Sequence, residues 1–190
     1  MVLKGAPNFK VWPDAVDGKW KQQFLMWLAM ETGIDILVET GTCEGATPLA
    51  LHNFFEEIHT VELHPELFHI AYKWIGGFPN VFMYPGDSAK ILPQIIKQFP
   101  NQPLLFWLDA HSSGPHTAQD NPLSRELKVI TNLCPNALIV IDDQMNGEFV
   151  DGEGRSTIDP DVDLTGWHHE YRTGEVLMYK EGRYNIPPFD

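Results

Sequence analysis

Two glycines spaced four residues apart, Gly41 and Gly45, follow a short apolar segment of the chain. Glycine lets the backbone turn sharply and approach a ligand, and the N–H groups that begin a following helix would point at that ligand. Glu62 comes 23 residues after Glu39, where a carboxylate suits the two hydroxyls of a ribose. These residues predict a site for a ligand that contains a nucleoside. The alternative is that the glycines form only a tight turn and that Glu62 only ends a strand.

Acids and a histidine follow two later apolar segments. Asp109 comes directly after residues 104–108, with His111 two positions further on, and Asp142-Asp143 come directly after residues 137–141. Adjacent carboxylates repel each other unless a cation lies close to them. His111 is placed to accept a proton from a substrate if it lies in the same cleft. The alternatives are that it is an ordinary loop histidine and that the acids are solvated.

A sheet whose strands alternate with helices would position all of these residues. Five short apolar segments predict strands, at residues 34–38, 58–62, 81–84, 104–108 and 137–141. Helical spacing predicts a helix over residues 17–31 and further helices that begin at Thr47-Pro48, His64-Pro65, Pro93 and Asn121-Pro122. Strands and helices that alternate five times predict an α/β fold with a doubly wound parallel sheet. In such a sheet, ligands bind at the carboxyl ends of the strands.

The rest of the chain predicts one domain over residues 1–190, with its core at residues 34–143. Residues 144–166 are acidic and lack helical spacing, which predicts a loop over the site. Residues 167–180 predict a hairpin that turns at Thr173-Gly174. We expect four tryptophans to lie in the core: Trp20, Trp27, Trp74 and Trp107. The expected buried face of the helix after His64 is Leu67, Ile70, Ala71 and Trp74.

Composition excludes several classes of partner. Twenty-six acidic residues against 13 basic ones give a net charge of −13, which argues against binding to nucleic acids or to anionic membranes. Two cysteines in 190 residues indicate a reducing compartment, so we expect a cytoplasmic protein. The glycine spacing of a classical dinucleotide site fails at Cys43 and Ala46, and the Gly-Lys-Ser/Thr phosphate loop is absent from the sequence.

The chain resembles the class I S-adenosylmethionine-dependent methyltransferases. The resemblance runs from about Ile34 to Asp143 and consists of four motifs in order. They are Glu39-x-Gly41-x-x-x-Gly45, the acid Glu62, Gly86-Asp87-Ser88, and Leu105-Phe106-Trp107-Leu108-Asp109. In that family these correspond to the first motif, the ribose-binding acid, the adenine-side motif and the fourth-strand motif. Cys43 is a departure, because many members have glycine there.

This resemblance implies a Rossmann-like, three-layer α/β/α fold with a seven-stranded sheet. The implied strand order is 3-2-1-4-5-7-6, with the last strand antiparallel. It also implies that the methyl donor S-adenosylmethionine lies across Gly41 and Glu62. The residues expected to bind the donor are Glu39, Thr40, Gly41, Thr42, Gly45, Thr47, Glu62, Leu63, Gly86, Asp87, Ser88 and Asp109. For Asp87, capping of the following helix is an equally good interpretation.

A narrower resemblance is to the divalent-metal-dependent O-methyltransferases. Asp109, Asp142 and Asp143 resemble the metal ligands of that group, and three oxygen ligands completed by water suit Mg²⁺. The resemblance implies a small-molecule or sugar hydroxyl as the acceptor, with Asp109 and His111 as catalytic residues and His111 taking the proton. Deprotonating an alcohol at neutral pH costs roughly 12 kcal/mol, and a bound divalent ion can lower the pKa of a ligated hydroxyl to about 7.

Two alternatives remain at this point. The first is a metal-independent methyltransferase that acts on nitrogen or another nucleophile. The second is a non-catalytic module that binds a nucleotide on the same fold. The sequence specifies neither the acceptor nor the oligomeric state.

Overall fold

The computed structural model describes residues 19–110, 122–142, 158–172 and 175–188. Within these ranges the helices are α1 (Lys19–Thr32), α2 (Ala46–Leu51), α3 (Pro65–Ile75), α4 (Ser88–Ile96) and α5 (Leu123–Leu133). Seven strands are β1 (Ile36–Thr40), β2 (Glu57–Glu62), β3 (Val81–Pro85), β4 (Leu104–Leu108), β5 (Ala137–Ile141), β6 (Trp167–Arg172) and β7 (Glu175–Lys180). None of the helices in these ranges has both the length and the apolar character needed to cross a membrane.

The strands form one sheet in the order β3-β2-β1-β4-β5-β7-β6. The first five strands are parallel, and β7 runs antiparallel between β5 and β6. All five residues of β1, β4 and β5 are buried, as a strand covered on both faces requires. The predicted fold class, strand order and hairpin are therefore confirmed.

Helices cover both faces of the sheet. Leu37, Leu105 and Leu138 face one side and pack in a cluster with α1, α2 and α3, where Phe24, Leu25 and Leu28 are fully buried. The alternate residues, such as Val38 and Phe106, face the other side and pack with α4 and α5. Alternation therefore decides which helices each side chain at a strand end meets.

The first strand begins later than predicted. It was expected at residues 34–38, but β1 spans Ile36–Thr40, because Glu39 and Thr40 are in register with Thr60 and Val61 of β2. Both residues therefore point from the sheet into its buried layers rather than from a loop. In a sequence, polar residues at the end of a strand resemble a loop, although their backbones pair with the neighbouring strand.

The helix expected to begin at Pro93 instead begins at Ser88. The Asp87 side chain accepts a hydrogen bond from the Ala89 N–H at 3.1 Å, so the helix is capped six residues before the proline. Pro93 lies inside α4, where its missing N–H removes one internal hydrogen bond without ending the helix. Similarly, α2 begins at Ala46 and not at Thr47-Pro48.

The predicted buried face of α3 is partly wrong. Ala71 and Ile75 face the core, whereas Trp74 is 65% exposed and Ile70 is 37% exposed. In this orientation Ala71 and Ile75 pack into the buried cluster and lie close to Gly45. Of the four tryptophans expected in the core, Trp107 is buried, and Trp20 and Trp27 are half-buried.

Candidate functional site

The loop after β1 and the carboxylate that ends β2 meet at the carboxyl edge of the sheet. The Cys43 N–H donates to one oxygen of Glu62 at 2.7 Å, and the His64 N–H donates to the other at 2.8 Å. Gly41 and Thr42 bind the same strand end, because both of their N–H groups donate to the Val61 carbonyl. The Glu62 side chain is thus fixed in orientation, with oxygen lone pairs left for further hydrogen bonds.

The two glycines each serve a close approach. Gly41 has φ +87°, and a Cβ there would lie 2.4 Å from the Asp109 carbonyl oxygen, so only glycine lets the end of β1 come this close to the end of β4. Gly45 has φ +84°, and a Cβ there would press against Ile75 and Ala71 of α3. These glycines thus let the end of β1 lie against the end of β4, and the start of α2 against α3.

A buried hydrogen-bonded network lies beneath the glycine loop. The Thr60 hydroxyl donates to Glu39 at 2.5 Å, and the Thr42 and Thr60 hydroxyls share a hydrogen bond of 2.5 Å. Thr47 of α2 also hydrogen-bonds Glu39. Burial raises the pKa of Glu39 to about 8, an effect that the hydrogen bond from Thr60 only partly offsets. Glu39 therefore supports the glycine loop through this hydrogen-bonded network.

The loop after β3 lies beside Glu62. The Gly86 N–H donates to the Glu62 carbonyl at 2.8 Å, which joins the two loops. Asp87 caps α4 with one oxygen and contacts Lys90 and Arg125 with the other, at 3.2 and 3.3 Å. The capping interpretation of Asp87 is thus observed, and it leaves this carboxylate at the side of the crevice.

Ser88 contacts a buried residue, Glu126, that the sequence did not indicate as part of the site. Its hydroxyl donates to Glu126 of α5, a carboxyl group that is 1% exposed. Burial raises the pKa of Glu126 to about 7, with the Ser88 hydrogen bond opposing that rise. The signal was available, because Glu126 stands three residues after Leu123 and four before Ile130, on the apolar face of its helix.

A row of three carboxylates crosses the neighbouring strands β4, β5 and β7. Leu108 pairs with Ile141 and Ile141 with Val176, so one further step along the register places Asp109, Asp142 and Glu175 side by side. Alternation puts them on the sheet face that α1 covers. Asp142 and Glu175 are each 1% exposed. Glu175, which sequence reasoning also missed, hydrogen-bonds Asp142.

A lysine of α1, Lys21, reaches these three carboxylates, which we call the acid row (Asp109, Asp142 and Glu175). Lys21 Nζ lies 2.6 Å from both carboxylate oxygens of Asp142, and it lies 5.8 Å from the centre of the Trp107 ring. The Asp142 side chain is 2% exposed and that of Lys21 is 27% exposed. Lys21 was not predicted, yet it stands three residues before Phe24 and four before Leu25, on the buried face of α1.

The charges of the acid row are strongly coupled. Burial and the nearby charge of Asp142 raise the pKa of Asp109. Burial acts to raise the pKa of Asp142 as well, but hydrogen bonds with Glu175 and Lys21 outweigh it and hold that pKa low. Of these two neighbours, Asp142 therefore carries negative charge more readily than Asp109, opposite the ammonium group.

The predicted magnesium site fits these residues poorly. Carboxylate oxygens are suitable ligands, but both oxygens of Asp142 already contact Lys21, so a metal ion would have to displace the ammonium group. Within the described ranges, no group of three His, Cys, Asp or Glu residues is arranged to hold a metal ion. Asp143, the third predicted ligand, and His111, the predicted base, lie outside the described residues.

Comparison with known proteins gives the fold. No family model and no curated protein sequence matches the chain. A Staphylococcus aureus protein assigned as a caffeoyl-CoA O-methyltransferase superposes with a TM-score of 0.62 at 12% identity, over 87% of this chain and 85% of that one. The O-methyltransferase TomG of Streptomyces achromogenes, solved with S-adenosylmethionine, gives 0.59 at 18%, over 90% and 83%.

A Bacillus cereus O-methyltransferase, solved with S-adenosylhomocysteine, gives a TM-score of 0.61 at 16% identity, over 87% of this chain and 82% of that one. The chain has the class I methyltransferase fold. The predicted resemblance is thus confirmed at the level of the fold. At these identities, activity and ligands need an argument from the residues themselves.

Proposed function

We propose that this protein transfers the methyl group of S-adenosylmethionine to a hydroxyl group of a small-molecule acceptor. The observation that supports this most is the junction of the glycine loop with Glu62, where the Cys43 N–H donates to the carboxylate at 2.7 Å. Two separate motifs of the sequence thereby face one crevice at the carboxyl edge of the sheet, which is where ligands of such sheets bind.

The proposed donor lies across this crevice. Glu62 accepts hydrogen bonds from the ribose hydroxyls, and Gly41 lets the backbone pass close to the donor. Leu63, whose side chain is 52% exposed beside Glu62, offers an apolar surface to the adenine. Asp87 stands at the adenine side, and Glu39 supports the loop from beneath. The other proposed donor contacts come from Thr40, Thr42, Gly45, Thr47, Gly86, Ser88 and Asp109.

The chemical step needs alignment and a proton acceptor. The acceptor oxygen forms a bond to the methyl carbon while the carbon–sulfur bond breaks, and its electron pair stays on the sulfur of S-adenosylhomocysteine. The hydroxyl proton passes to a base, for which His111 remains our proposal. The sulfonium already activates the methyl group, so holding both reactants in line is the main task of the protein.

Two forms of this reaction differ in the cation that faces the carboxylates. In the form that the sequence predicts, Asp109, Asp142 and Asp143 would hold Mg²⁺, which would lower the pKa of an acceptor hydroxyl. In the other form no metal ion takes part. The contact of Lys21 with both oxygens of Asp142 favours the second form.

Calorimetric titration with S-adenosylmethionine and S-adenosylhomocysteine tests the donor site first. We expect binding of one equivalent of each, and lack of binding to the folded protein would contradict the proposal. Transfer of a labelled methyl group to a panel of phenols, sugars and aliphatic alcohols then tests the activity. Donor binding without transfer across the panel would instead support a non-catalytic nucleotide-binding module. A small-molecule acceptor, a cytoplasmic location and no binding to nucleic acids or membranes remain predictions.

A further inference from the structure

The ammonium group of Lys21 fills the space that a metal ion would need. A divalent ion bound to a carboxylate lies about 2.1 Å from its oxygen if it is Mg²⁺. Lys21 Nζ lies 2.6 Å from Oδ1 and 2.6 Å from Oδ2 of Asp142, so it occupies the position between the two oxygens. An ammonium group and a metal ion therefore cannot both occupy the bidentate position at Asp142.

Packing of α1 brings Lys21 to this point. Phe24, Leu25 and Leu28 of the same helix are fully buried against the sheet, which fixes how the helix lies over β4 and β5. The Lys21 stem then passes the Trp107 ring, 5.8 Å from Nζ, before it reaches Asp142. The ion pair joins residues 121 positions apart in the chain, so it is a product of the fold and not of a local turn.

The buried Asp142 carboxylate of the acid row requires a compensating cation when it is ionised. Asp142 has a carboxylate next to it on each side, Asp109 from β4 and Glu175 from β7, and its own side chain is almost fully buried. Burying the ionised Asp142 carboxylate is costly unless a positive charge compensates it. Within the described ranges, Lys21 is the basic residue that contacts Asp142.

We propose that Lys21 is the resident cation of the acid row and that methyl transfer by this protein needs no divalent metal ion. Only the second part of this inference, that methyl transfer needs no divalent metal ion, rests on the proposed function. Lys21 is a positioning residue: it holds the Asp142 carboxylate in one place beside the donor crevice. The methyl transfer itself remains the step described above, with the same bonds formed and broken and the same route for the proton.

Magnesium binding tests the first half without any acceptor. Calorimetric titration with MgCl₂ is made on the wild type, Lys21→Met, Lys21→Arg and the control Lys97→Met, which changes an exposed lysine of the opposite layer. We expect no binding by the wild type, Lys21→Arg or Lys97→Met. Lys21→Met should melt at a lower temperature than the wild type, because the buried Asp142 carboxylate loses its partner, and Lys21→Arg should melt close to the wild type.

Two results would overturn this half of the inference. One is binding of one equivalent of Mg²⁺ by the wild type. The other is a folded Lys21→Met variant that melts at the wild-type temperature, because Asp142 would then need no cation. If Lys21→Met does not fold, the wild type and Lys21→Arg decide, since Lys21→Arg keeps the charge and must remain without bound Mg²⁺.

Turnover tests the second half once an acceptor is found. Transfer by the wild type should be equal in EDTA and in MgCl₂, and loss in EDTA that Mg²⁺ restores would overturn the inference. Lys21→Met should lose kcat while the KM for S-adenosylmethionine stays unchanged, and Lys21→Arg should recover most of it. Titration of the same samples with S-adenosylmethionine separates the two proposals, because absent donor binding contradicts the proposed function and leaves the Mg²⁺ result standing.

Discussion

The backbone N–H of Cys43 donates to the Glu62 carboxylate across 2.7 Å. One residue belongs to the turn after β1 and the other ends β2, so their contact joins the two parts of the chain that the proposed donor would contact. Cys43 stands where many class I methyltransferases have glycine, and it has φ +50°. The Cys43 side chain is exposed. Its backbone has the positive φ that glycine favours, and its N–H still donates to Glu62.

The first prediction concerns Glu62. Hydrogen bonds to a charged group contribute about 1.5–3 kcal/mol each, and the two ribose hydroxyls would supply two of them. Glu62→Ala should therefore weaken binding of S-adenosylmethionine by at least about 100-fold. Glu62→Gln, which keeps one acceptor oxygen, should weaken it less. Isothermal calorimetry measures both affinities.

The matched control for this change is Glu181→Gln. Glu181 is exposed and follows β7 at the opposite edge of the sheet, so its loss should leave donor affinity unchanged. Because Glu62 also holds the N–H groups of Cys43 and His64, the melting temperature of each variant is measured first. Equal donor affinity in folded Glu62→Ala and the wild type would refute the ribose role.

Gly41 gives the second prediction. A Cβ at this position would lie 2.4 Å from the Asp109 carbonyl oxygen and would be strained at φ +87°. Gly41→Ala should therefore lower the free energy of unfolding by about 2 kcal/mol or more. It should also abolish donor binding, because the ends of β1 and β4 must move apart. Urea denaturation and calorimetry on the same sample provide the two measurements.

Gly77→Ala is the matched glycine control. A Cβ at Gly77 meets nothing within 4 Å, so the free energy of unfolding should change by no more than about 0.5 kcal/mol. Donor binding should be unaffected. If the two alanine variants behaved alike, the close approach of Gly41 to Asp109 would not be the reason for that glycine.

The sequence was most informative where one physical constraint acts alone. The apolar runs Leu104–Leu108 and Ala137–Ile141 appear as strands with the predicted bounds, because a strand buried on both faces has no polar alternation to confuse it. The predicted acids at the strand ends also come together, since parallel strands end at one edge. Asp109 and Asp142 are neighbours for that reason.

Sequence reasoning failed where tertiary packing decides between equivalent local choices. Both faces of α3 carry apolar residues, and it is in the folded protein that Ala71 and Ile75 pack into the buried cluster and close to Gly45. Lys21 and Glu175 come from the two ends of the chain, and each meets Asp142 only after the sheet has formed. A local pattern can mark such residues as buried and polar, but it cannot name their partners.

Substitution of two tryptophans, one on α3 and one on β4, tests which of them is buried. Trp74 is 65% exposed, so Trp74→Ala should change the free energy of unfolding by no more than about 0.5 kcal/mol. Trp107 is 1% exposed, and Trp107→Ala should cost about 3–5 kcal/mol because it leaves a cavity in the core. Urea denaturation followed by far-ultraviolet circular dichroism measures both. A large loss for Trp74→Ala would mean that this residue is buried in solution.

Glu126 predicts a specific pH dependence of stability. Its carboxyl group has a pKa of about 7 in the folded protein and 4.5 as its ordinary value. Between these pH values the folded state binds the proton more tightly than the unfolded state, so stability is complete below pH 4.5 and falls as the pH rises towards 7. The full difference corresponds to about 3 kcal/mol.

Glu126→Gln removes this dependence, because an amide can still accept the Ser88 hydrogen bond but does not ionise. The free energy of unfolding of the variant, minus that of the wild type, should therefore increase by up to about 3 kcal/mol between pH 4.5 and pH 8. Other buried acids such as Glu39 are present in both proteins, so their contributions cancel in this difference. Urea denaturation at intervals of pH gives the curve, with Glu181→Gln as the control that should follow the wild type. A difference that stays constant with pH would show that Glu126 is ionised in the folded protein as readily as in the unfolded chain.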